Sequence, residues 1–260
     1  MIPLNIYQTH KSLDFINSDK RLVNATNSWK RNKKFTYNFY DDKQCSDFME
    51  AHYSEIKPLY DKLPLNVMKA DLWRYCIIYK YGGIYADCDT ILNTDISIFV
   101  KHQNKQLVVA PENDNEFFCQ WVFSAPPNSP VLKSIIDLSI QRIRDTEIIK
   151  GEHIIHYLTG PAVFTDGILL YLKSQNIEVP KTVSQVERGF TPLLPNNDDF
   201  MIYDKQNYGR LKKVDIFKYE KIQCDILIYN HKIFHKKCVI HIYAGSWPNG
   251  WKEQRDKLLK

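Results

Sequence analysis

Apolar positions in the first two thirds of the chain alternate between short extended runs and stripes at helical spacing. The clearest helix follows Asn66, where apolar residues recur at spacings of four and three. This stripe consists of Met68, Leu72, Cys76 and Tyr79. We expect Asn66 to cap the start of the helix and Gly82-Gly83 to end it.

The same patterns predict the remaining elements. Helices are expected over 19–30, 44–60, 130–144 and from Thr159-Gly160-Pro161 to about 173, with Pro58 ending or kinking the second of them. Strands are expected over 4–7, 34–40, 84–89 and 107–110, and near 200–203, 226–229 and 239–242. Strands that alternate with helices predict an α/β fold with a largely parallel sheet, which binds its ligands beyond the carboxyl ends of the strands.

Length, composition and net charge limit the number of domains and the kinds of partner that we expect for this chain. With 260 residues, of which 44% are hydrophobic, it has enough apolar material for a packed core. We expect one domain over 1–260, with 175–260 as a variable C-terminal portion. The net charge of +5 suits anionic small molecules and disfavours nucleic acid as a partner.

Cysteine spacing and apolar runs give an expectation for the compartment. The six cysteines form no Cys-x-x-Cys pair, so reduced thiols are the simplest interpretation. No run approaches the length of a transmembrane helix, and the first residues lack a signal-peptide pattern. We therefore expect a cytoplasmic location and no transmembrane segment.

The segment Asp87-Cys88-Asp89 carries the candidate chemistry. In an extended strand, side chains two residues apart project to the same face, roughly 7 Å from each other. Two carboxylates on one face repel unless a cation lies beside them, and hard oxygen ligands suit Mn²⁺ or Mg²⁺, particularly when a diphosphate completes the coordination. The pattern predicts a metal site at the end of a strand.

Four ordered blocks of sequence resemble one known family, glycosyltransferase family 32, which includes capsular-polysaccharide and initiating mannosyltransferases. The longest runs from Ala70-Asp71-Leu72-Trp73-Arg74-Tyr75 through Tyr79 to Asp89, and it also looks like the glucosylating clostridial toxins. The shorter blocks are 2–8, Thr159-Gly160-Pro161 and 241–247. The resemblance implies a GT-A fold and transfer of a sugar from a UDP- or GDP-sugar donor to an acceptor hydroxyl, with retention of configuration.

The resemblance also implies a role for each motif position. Asp89 would be the direct metal ligand, and Asp87 would face the ribose and donor sugar, partly through the metal. Asp71 would bind donor sugar hydroxyls, with Arg74 holding it or approaching the diphosphate. Tyr85 would line the nucleotide pocket.

The first and last blocks of the resemblance, 2–8 and 241–247, imply further site residues. His241 would complete the metal coordination, and Ser246 and Trp247 would touch the departing diphosphate. Tyr7 or Gln8 would contact the base. Where many relatives carry Asn, this chain has Gln120, so a role for Gln120 at the reacting face of the donor sugar does not transfer directly.

Two alternatives remain open at this stage. Asp87-Cys88-Asp89-Thr90 also fits the nucleophile loop of a haloacid dehalogenase-type phosphatase, with Asp198-Asp199 as a distal acidic pair, although that loop normally follows the first strand. A transferase fold that binds sugar or nucleotide without turnover is the second alternative. The sequence leaves the base, the sugar and the acceptor open. The portion 175–260 would face the acceptor, for which a glycan, a lipid-linked sugar, a protein and a small molecule are all alternatives.

Overall fold

The computed structural model describes residues 1–102, 104–110, 112, 117–151, 154–176, 225–229 and 234–243. One sheet has six strands: β1 Asn5–Thr9, β2 Thr36–Tyr40, β3 Gly83–Ala86, β5 Leu107–Val109, β6 Val122–Ala125 and β7 Ile226–Ile228. Their order across the sheet is β2-β1-β3-β6-β5-β7. A separate two-stranded sheet pairs β4 Thr90–Leu92 with β8 Val239–His241.

The six-stranded sheet is mostly parallel, as expected. The pairs β1–β2, β1–β3 and β5–β7 are parallel, whereas β6 runs antiparallel to both β3 and β5. The sequence patterns did not predict β6, because its four residues precede Pro126 and show no length or alternation of their own. This strand nevertheless occupies the centre of the sheet.

Helices lie on the two faces of this sheet. Their bounds are α1 Leu13–Ser18, α2 Lys20–Lys30, α3 Asp42–His52, α4 Lys57–Lys62, α5 Asn66–Tyr81, α6 Pro130–Asp145, α7 Ile154–Leu158 and α8 Pro161–Ser174. Alternate residues of the central strands point to opposite cores: Tyr85 packs with α5 and α8, and Ile84 packs on the other face with Trp29 of α2. The layered α/β prediction is therefore confirmed.

Several predicted boundaries were wrong for local reasons. The segment 44–60 forms α3 and α4, and Pro58 lies in the first turn of α4 instead of ending a helix, a position where its missing N–H costs nothing. Asn66 is the first residue of α5, whose cap is Leu65, and the Asn66 side chain donates to Asp42 Oδ2 at 2.6 Å. The predicted strand near 200–203 lies outside the described residues, and the single-domain boundary stays a prediction.

Two glycines bring α5 directly into β3. Gly82 ends the helix with φ of +66°, and a Cβ atom there would lie 2.6 Å from Pro127 Cδ. Gly83 follows with φ of +121°, and its Cβ would lie 2.7 Å from the carbonyl oxygen of Asn5 in β1. Only glycine tolerates both the positive φ and this close approach, so the connection from α5 to the end of β3 is short and fixed.

Candidate active site

The two motif carboxylates come from a turn and not from a continuous strand. β3 ends at Ala86, and Thr90 N donates to the carbonyl oxygen of Asp87 at 3.1 Å, which closes a four-residue turn before β4. The Thr90 hydroxyl donates to the same oxygen at 2.6 Å. The predicted strand over 84–89 is therefore too long, although the turn still directs both carboxylates to one place.

Asp87, Asp89 and His241 form a cluster of potential metal ligands. One ligand atom from each lies within 4.8 Å of the others, and Asp89 Oδ1 lies 3.4 Å from His241 Nε2. His241 reaches the turn because β8 pairs with β4, with Thr90 opposite His241 and Ile242 N donating to Asp89 O at 2.9 Å. The sequence prediction that these three residues meet agrees with this geometry.

The donor set fits a divalent cation. Two carboxylates and an imidazole supply hard oxygen ligands and one nitrogen, which suits Mn²⁺ particularly well and also accommodates Mg²⁺. Asp89 is only 6% exposed, so its charge is costly unless a cation lies beside it. The side chain of Asp87 is 25% exposed, which leaves the cluster accessible from solvent.

A buried ion network adjoins the cluster. Asp71 and Arg74 lie three residues apart on α5, with 3.0 Å between Arg74 Nη2 and Asp71 Oδ1. The same guanidinium nitrogen lies 3.4 Å from Asp87 Oδ1, and the guanidinium carbon lies 4.6 Å from the centre of the Tyr85 ring. The Tyr85 hydroxyl also donates to Asp87 Oδ1. Arg74 thus connects the helix carboxylate to the turn carboxylate.

Burial shifts the ionisation of this network. Burial raises the pKa of Asp71 from 3.8 to about 7, although the positive charge of Arg74 opposes the shift. Burial alone would lower the pKa of Arg74, but the charges of Asp87, Tyr85 and Asp71 outweigh it and raise that pKa. Arg74 therefore stays charged, whereas Asp71 titrates near neutral pH.

Asp71 is held by residues to which the sequence analysis gave no such role. Thr159 donates its hydroxyl to Asp71 Oδ2 at 3.2 Å, and Gln120 Nε2 lies 3.4 Å from Asp71 Oδ1. The Tyr75 hydroxyl lies within hydrogen-bond distance of both the Thr159 carbonyl oxygen and the Gln120 side chain, and its one hydrogen is shared between them. Thr159 and Tyr75 belong to blocks that the resemblance had already identified, so their positions were available as a signal, whereas Gln120 stands where many relatives carry Asn.

The two residues expected near the base lie at the end of β1. Tyr7 is 5% exposed and packs on the α5 face, where burial raises its pKa to about 12. Gln8 is fully buried and donates to the Asp87 carbonyl oxygen at 3.0 Å. Contacts of either residue with a base stay predictions. Ser246 and Trp247 lie outside the described residues, as does the Asp198-Asp199 pair of the phosphatase alternative.

Comparison with known proteins shows that this chain is similar to glycosyltransferases. Residues 9–109 match the family described as "Glycosyltransferase sugar-binding region containing DXD motif". The chain is similar to an initiation-specific alpha-1,6-mannosyltransferase of Schizosaccharomyces pombe, with 30% identity over 71% of this chain and 55% of the relative. It is also similar to inositol phosphoceramide mannosyltransferase 1 of the same organism, with 28% identity over 75% of this chain and 58% of the relative.

Structural similarity supports the fold. A solved structure titled "PaToxG Glycosyltransferase" superposes with a TM-score of 0.50 at 17% identity, covering 66% of this chain and 71% of that one. This similarity confirms the predicted glycosyltransferase fold. The chain spans about half the length of the two curated relatives, at 55% and 58%. Within the described ranges, no helix has the length and apolar character needed to cross a membrane.

Proposed function

We propose that this chain transfers a sugar from a nucleotide-sugar to an acceptor hydroxyl, because residues 9–109 match the DXD-motif sugar-binding family of glycosyltransferases. The observation that carries the proposal is the convergence of Asp87, Asp89 and His241 within 4.8 Å beside the Asp71–Arg74 pair. This arrangement combines a cation site with a fixed positive charge and a buried carboxylate. Each part has a task when a sugar–phosphate bond breaks.

The chemical requirement is stabilisation of the departing diphosphate. A divalent cation bound by Asp87, Asp89 and His241 would supply positive charge there. Arg74 adds a guanidinium that stays charged at every physiological pH, and its place beside Asp87 directs that charge toward the same region. Tyr85 donates to one oxygen of Asp87, which fixes the carboxylate and leaves its second oxygen for a ligand.

Asp71 is suited to bind sugar hydroxyls. Its carboxylate is oriented by Arg74, Thr159 and Gln120, so it needs no reorganisation when a donor binds. The names of the relatives lead us to propose a mannosyl donor, and GDP-mannose is the first candidate to test. The relatives differ in the acceptor that their names imply, so we propose a hydroxyl acceptor without choosing between a glycan and a lipid.

Retention of the anomeric configuration is part of the proposal. It is supported by the resemblance of the Ala70–Asp89 block to retaining transferases, because the described residues offer no pattern that identifies the stereochemistry by itself. Proton NMR of the first product would read the anomeric coupling directly. A product of inverted configuration would contradict this part and leave sugar transfer intact.

The phosphatase alternative fits the geometry less well. Its nucleophile would be Asp87, whose Oδ1 is engaged by Arg74 and the Tyr85 hydroxyl, so the attack on phosphorus would fall to Oδ2 alone. The turn also follows β3 and not the first strand of the chain. Hydrolysis of a simple phosphomonoester, with no turnover of nucleotide-sugars, would support the phosphatase over the transferase.

The direct test is Asp89→Ala. We expect loss of Mn²⁺-dependent hydrolysis and transfer of GDP-mannose, UDP-glucose or UDP-galactose, whichever the wild-type chain uses, because a ligand of the cation is removed. Asp137→Ala is the matched control: Asp137 is an exposed aspartate paired with Lys133 at 2.6 Å, far along α6, and its loss should leave turnover unchanged. Equal turnover by Asp89→Ala and wild type, with Mn²⁺ supplied, would overturn the proposal.

A further inference from the structure

A buried amide at the end of β1 supports the turn that carries the motif carboxylates. Gln8 has no exposed surface, and its Nε2 donates to the carbonyl oxygen of Asp87 at 3.0 Å. Its Oε1 accepts from the Tyr37 hydroxyl of β2 at 2.8 Å. Both ends of the amide are therefore satisfied inside the protein, by one residue of β2 and one of the turn after β3.

The Asp87 carbonyl fixes the orientation of this amide, and Tyr37 holds its other end. Because a carbonyl oxygen only accepts, the NH₂ group must face it, and a flipped amide would bring two acceptor oxygens together; this leaves Oε1 to accept from the Tyr37 hydroxyl. Tyr37 is itself constrained by packing in the core beside α2, and Lys30 lies 4.9 Å from its ring. The relay Tyr37–Gln8–Asp87 thus has one hydrogen-bonding direction.

The Asp87 carbonyl is the point at which the turn is anchored. It accepts from Gln8 Nε2, from Thr90 N and from the Thr90 hydroxyl. Cys88, between the two carboxylates, is buried and directs its thiol to the Thr9 carbonyl oxygen at 3.4 Å. β1 therefore contacts the turn at two points, and these contacts set the direction in which the carboxylates of Asp87 and Asp89 leave the backbone.

We propose that Gln8 is a positioning residue for the cation site, that Tyr37 fixes its amide, and that Gln8 does not contact the nucleotide base. This inference rests on the proposed function, since it assumes that Asp87, Asp89 and His241 bind a divalent cation. Residues that orient metal ligands from behind commonly change metal affinity by about 10–100-fold when they are replaced. Gln8 acts on the backbone of a ligand residue, which places it in this class.

The test measures binding of Mn²⁺ alone by isothermal titration calorimetry. Gln8→Met removes both hydrogen bonds at similar side-chain length, and we expect Mn²⁺ to bind about 10–100-fold more weakly. Tyr37→Phe removes one oxygen atom and leaves the buried Oε1 of Gln8 without its donor, so we expect a smaller loss, up to about tenfold. Tyr37→Phe also keeps the test decisive if Gln8→Met does not fold.

A matched control separates positioning from general stability. Tyr53→Phe removes a buried hydroxyl that donates to the Cys76 carbonyl oxygen at 2.9 Å, with no connection to the turn. We expect it to lower the melting temperature about as much as Tyr37→Phe and to leave Mn²⁺ affinity unchanged. If Tyr53→Phe weakened Mn²⁺ binding equally, the effect would be one of stability and the positioning role would be wrong.

The remaining outcomes distinguish the two proposals. If Asp89→Ala binds Mn²⁺ as tightly as wild type, the cation site itself is wrong. If Asp89→Ala loses Mn²⁺ while Gln8→Met and Tyr37→Phe bind it normally, only the positioning role fails. A second titration with GDP or UDP at saturating Mn²⁺ completes the set: weakened nucleotide binding with normal Mn²⁺ affinity in Gln8→Met would restore the base contact and overturn the inference.

Discussion

The Asp71–Arg74 pair and the Asp89–His241 pair serve one candidate site but are held in opposite ways. Asp71 and Arg74 belong to one helix, are 2% and 5% exposed, and are fixed by their own spacing and by the core around them. Asp89 and His241 are brought together by pairing of β4 and β8, each three residues long. The first pair is secured by local geometry, and the second depends on a contact between distant parts of the chain.

This difference separates two kinds of failure. Substitutions in the helix pair should remove chemistry and leave the fold intact, because the surrounding core does not depend on the charge. Substitutions in the strand pair should weaken cation binding first, in a way that excess metal can offset. Three substitutions and one pH titration test this division.

Asp71→Asn should have the largest effect on turnover. It removes the buried carboxylate that faces Arg74, and we expect kcat to fall by about 100–1,000-fold, as for loss of a preorganised polar group. The free energy of unfolding at pH 7 should stay the same or rise, because a buried carboxylate is costly. Chemical denaturation and steady-state kinetics measure both quantities. A large loss of stability together with activity would show that the pair is a structural ion pair.

His241→Ala should act on the cation. In the proposed site His241 is a direct ligand, so its loss should weaken cation binding at least as much as loss of Gln8 or Tyr37. We therefore expect Mn²⁺ affinity to fall by about 10–100-fold or more, with turnover partly recovered in excess Mn²⁺. Titrating activity against Mn²⁺ concentration measures this recovery. The control is Asp71→Asn, whose turnover should not respond to excess Mn²⁺. Identical metal dependence in the two variants would remove the distinction between the pairs.

Tyr85→Phe should have an intermediate effect, because Tyr85 contacts both Arg74 of the helix pair and Asp87 of the turn. The variant keeps the ring 4.6 Å from the guanidinium of Arg74 and loses only the hydroxyl that donates to Asp87. A hydrogen bond to a charged group is worth about 1.5–3 kcal/mol, which corresponds to a loss of about tenfold or more in kcat/KM. Kinetics on the variant test this value, and turnover equal to wild type would mean that Arg74 alone orients Asp87.

Titration of Asp71 gives the smallest and most specific signature. Its pKa rises from 3.8 to about 7 on burial, so the folded state keeps a proton that the unfolded state has released. The stability from this group is present below about pH 4 and is lost as the pH rises through about 7. Turnover should instead rise several-fold over the interval around pH 7, because the carboxylate is the form that pairs with Arg74.

These opposite slopes can be checked on one pair of proteins. Free energies of unfolding, measured in chelator from pH 5 to 8, should fall with pH more steeply in wild type than in Asp71→Asn. A pH–rate profile of wild type over the same range should rise. If the stability of the two proteins varies identically with pH, Asp71 does not titrate in this interval.

Much of the candidate site was predicted from the sequence. The reasons differ between the Asp71–Arg74 pair and the cluster of Asp87, Asp89 and His241. The family resemblance identified Asp71 and Arg74, and their contact follows because residues three apart on α5 share a face. The meeting of Asp87 and Asp89 was predicted from strand alternation and arises instead from a turn, because Thr90 hydrogen-bonds to Asp87 and ends the extended run. The family resemblance alone identified His241 as a candidate third ligand.

The hydrogen bonds that hold the Asp71 carboxylate in place could not be predicted from the sequence. Thr159 and Gln120 approach Asp71 from segments far along the chain, and nothing in their local sequence indicates which carboxylate they contact. β6 was not predicted, although it lies at the centre of the sheet. Asn66 was predicted to cap α5, but Leu65 is the cap residue and the Asn66 side chain hydrogen-bonds to Asp42 instead. Such long-range choices depend on tertiary packing, which local patterns do not encode.

The pairing of β4 with β8 also sets an order of events during biosynthesis. While the ribosome is still adding residues before 239, β4 lacks β8 as a partner strand and the cluster at the turn lacks its imidazole. A nascent polypeptide that already contains the α5–β3 connection therefore still lacks one of the three side chains of the cluster. The cluster can assemble only after β8 has left the ribosome.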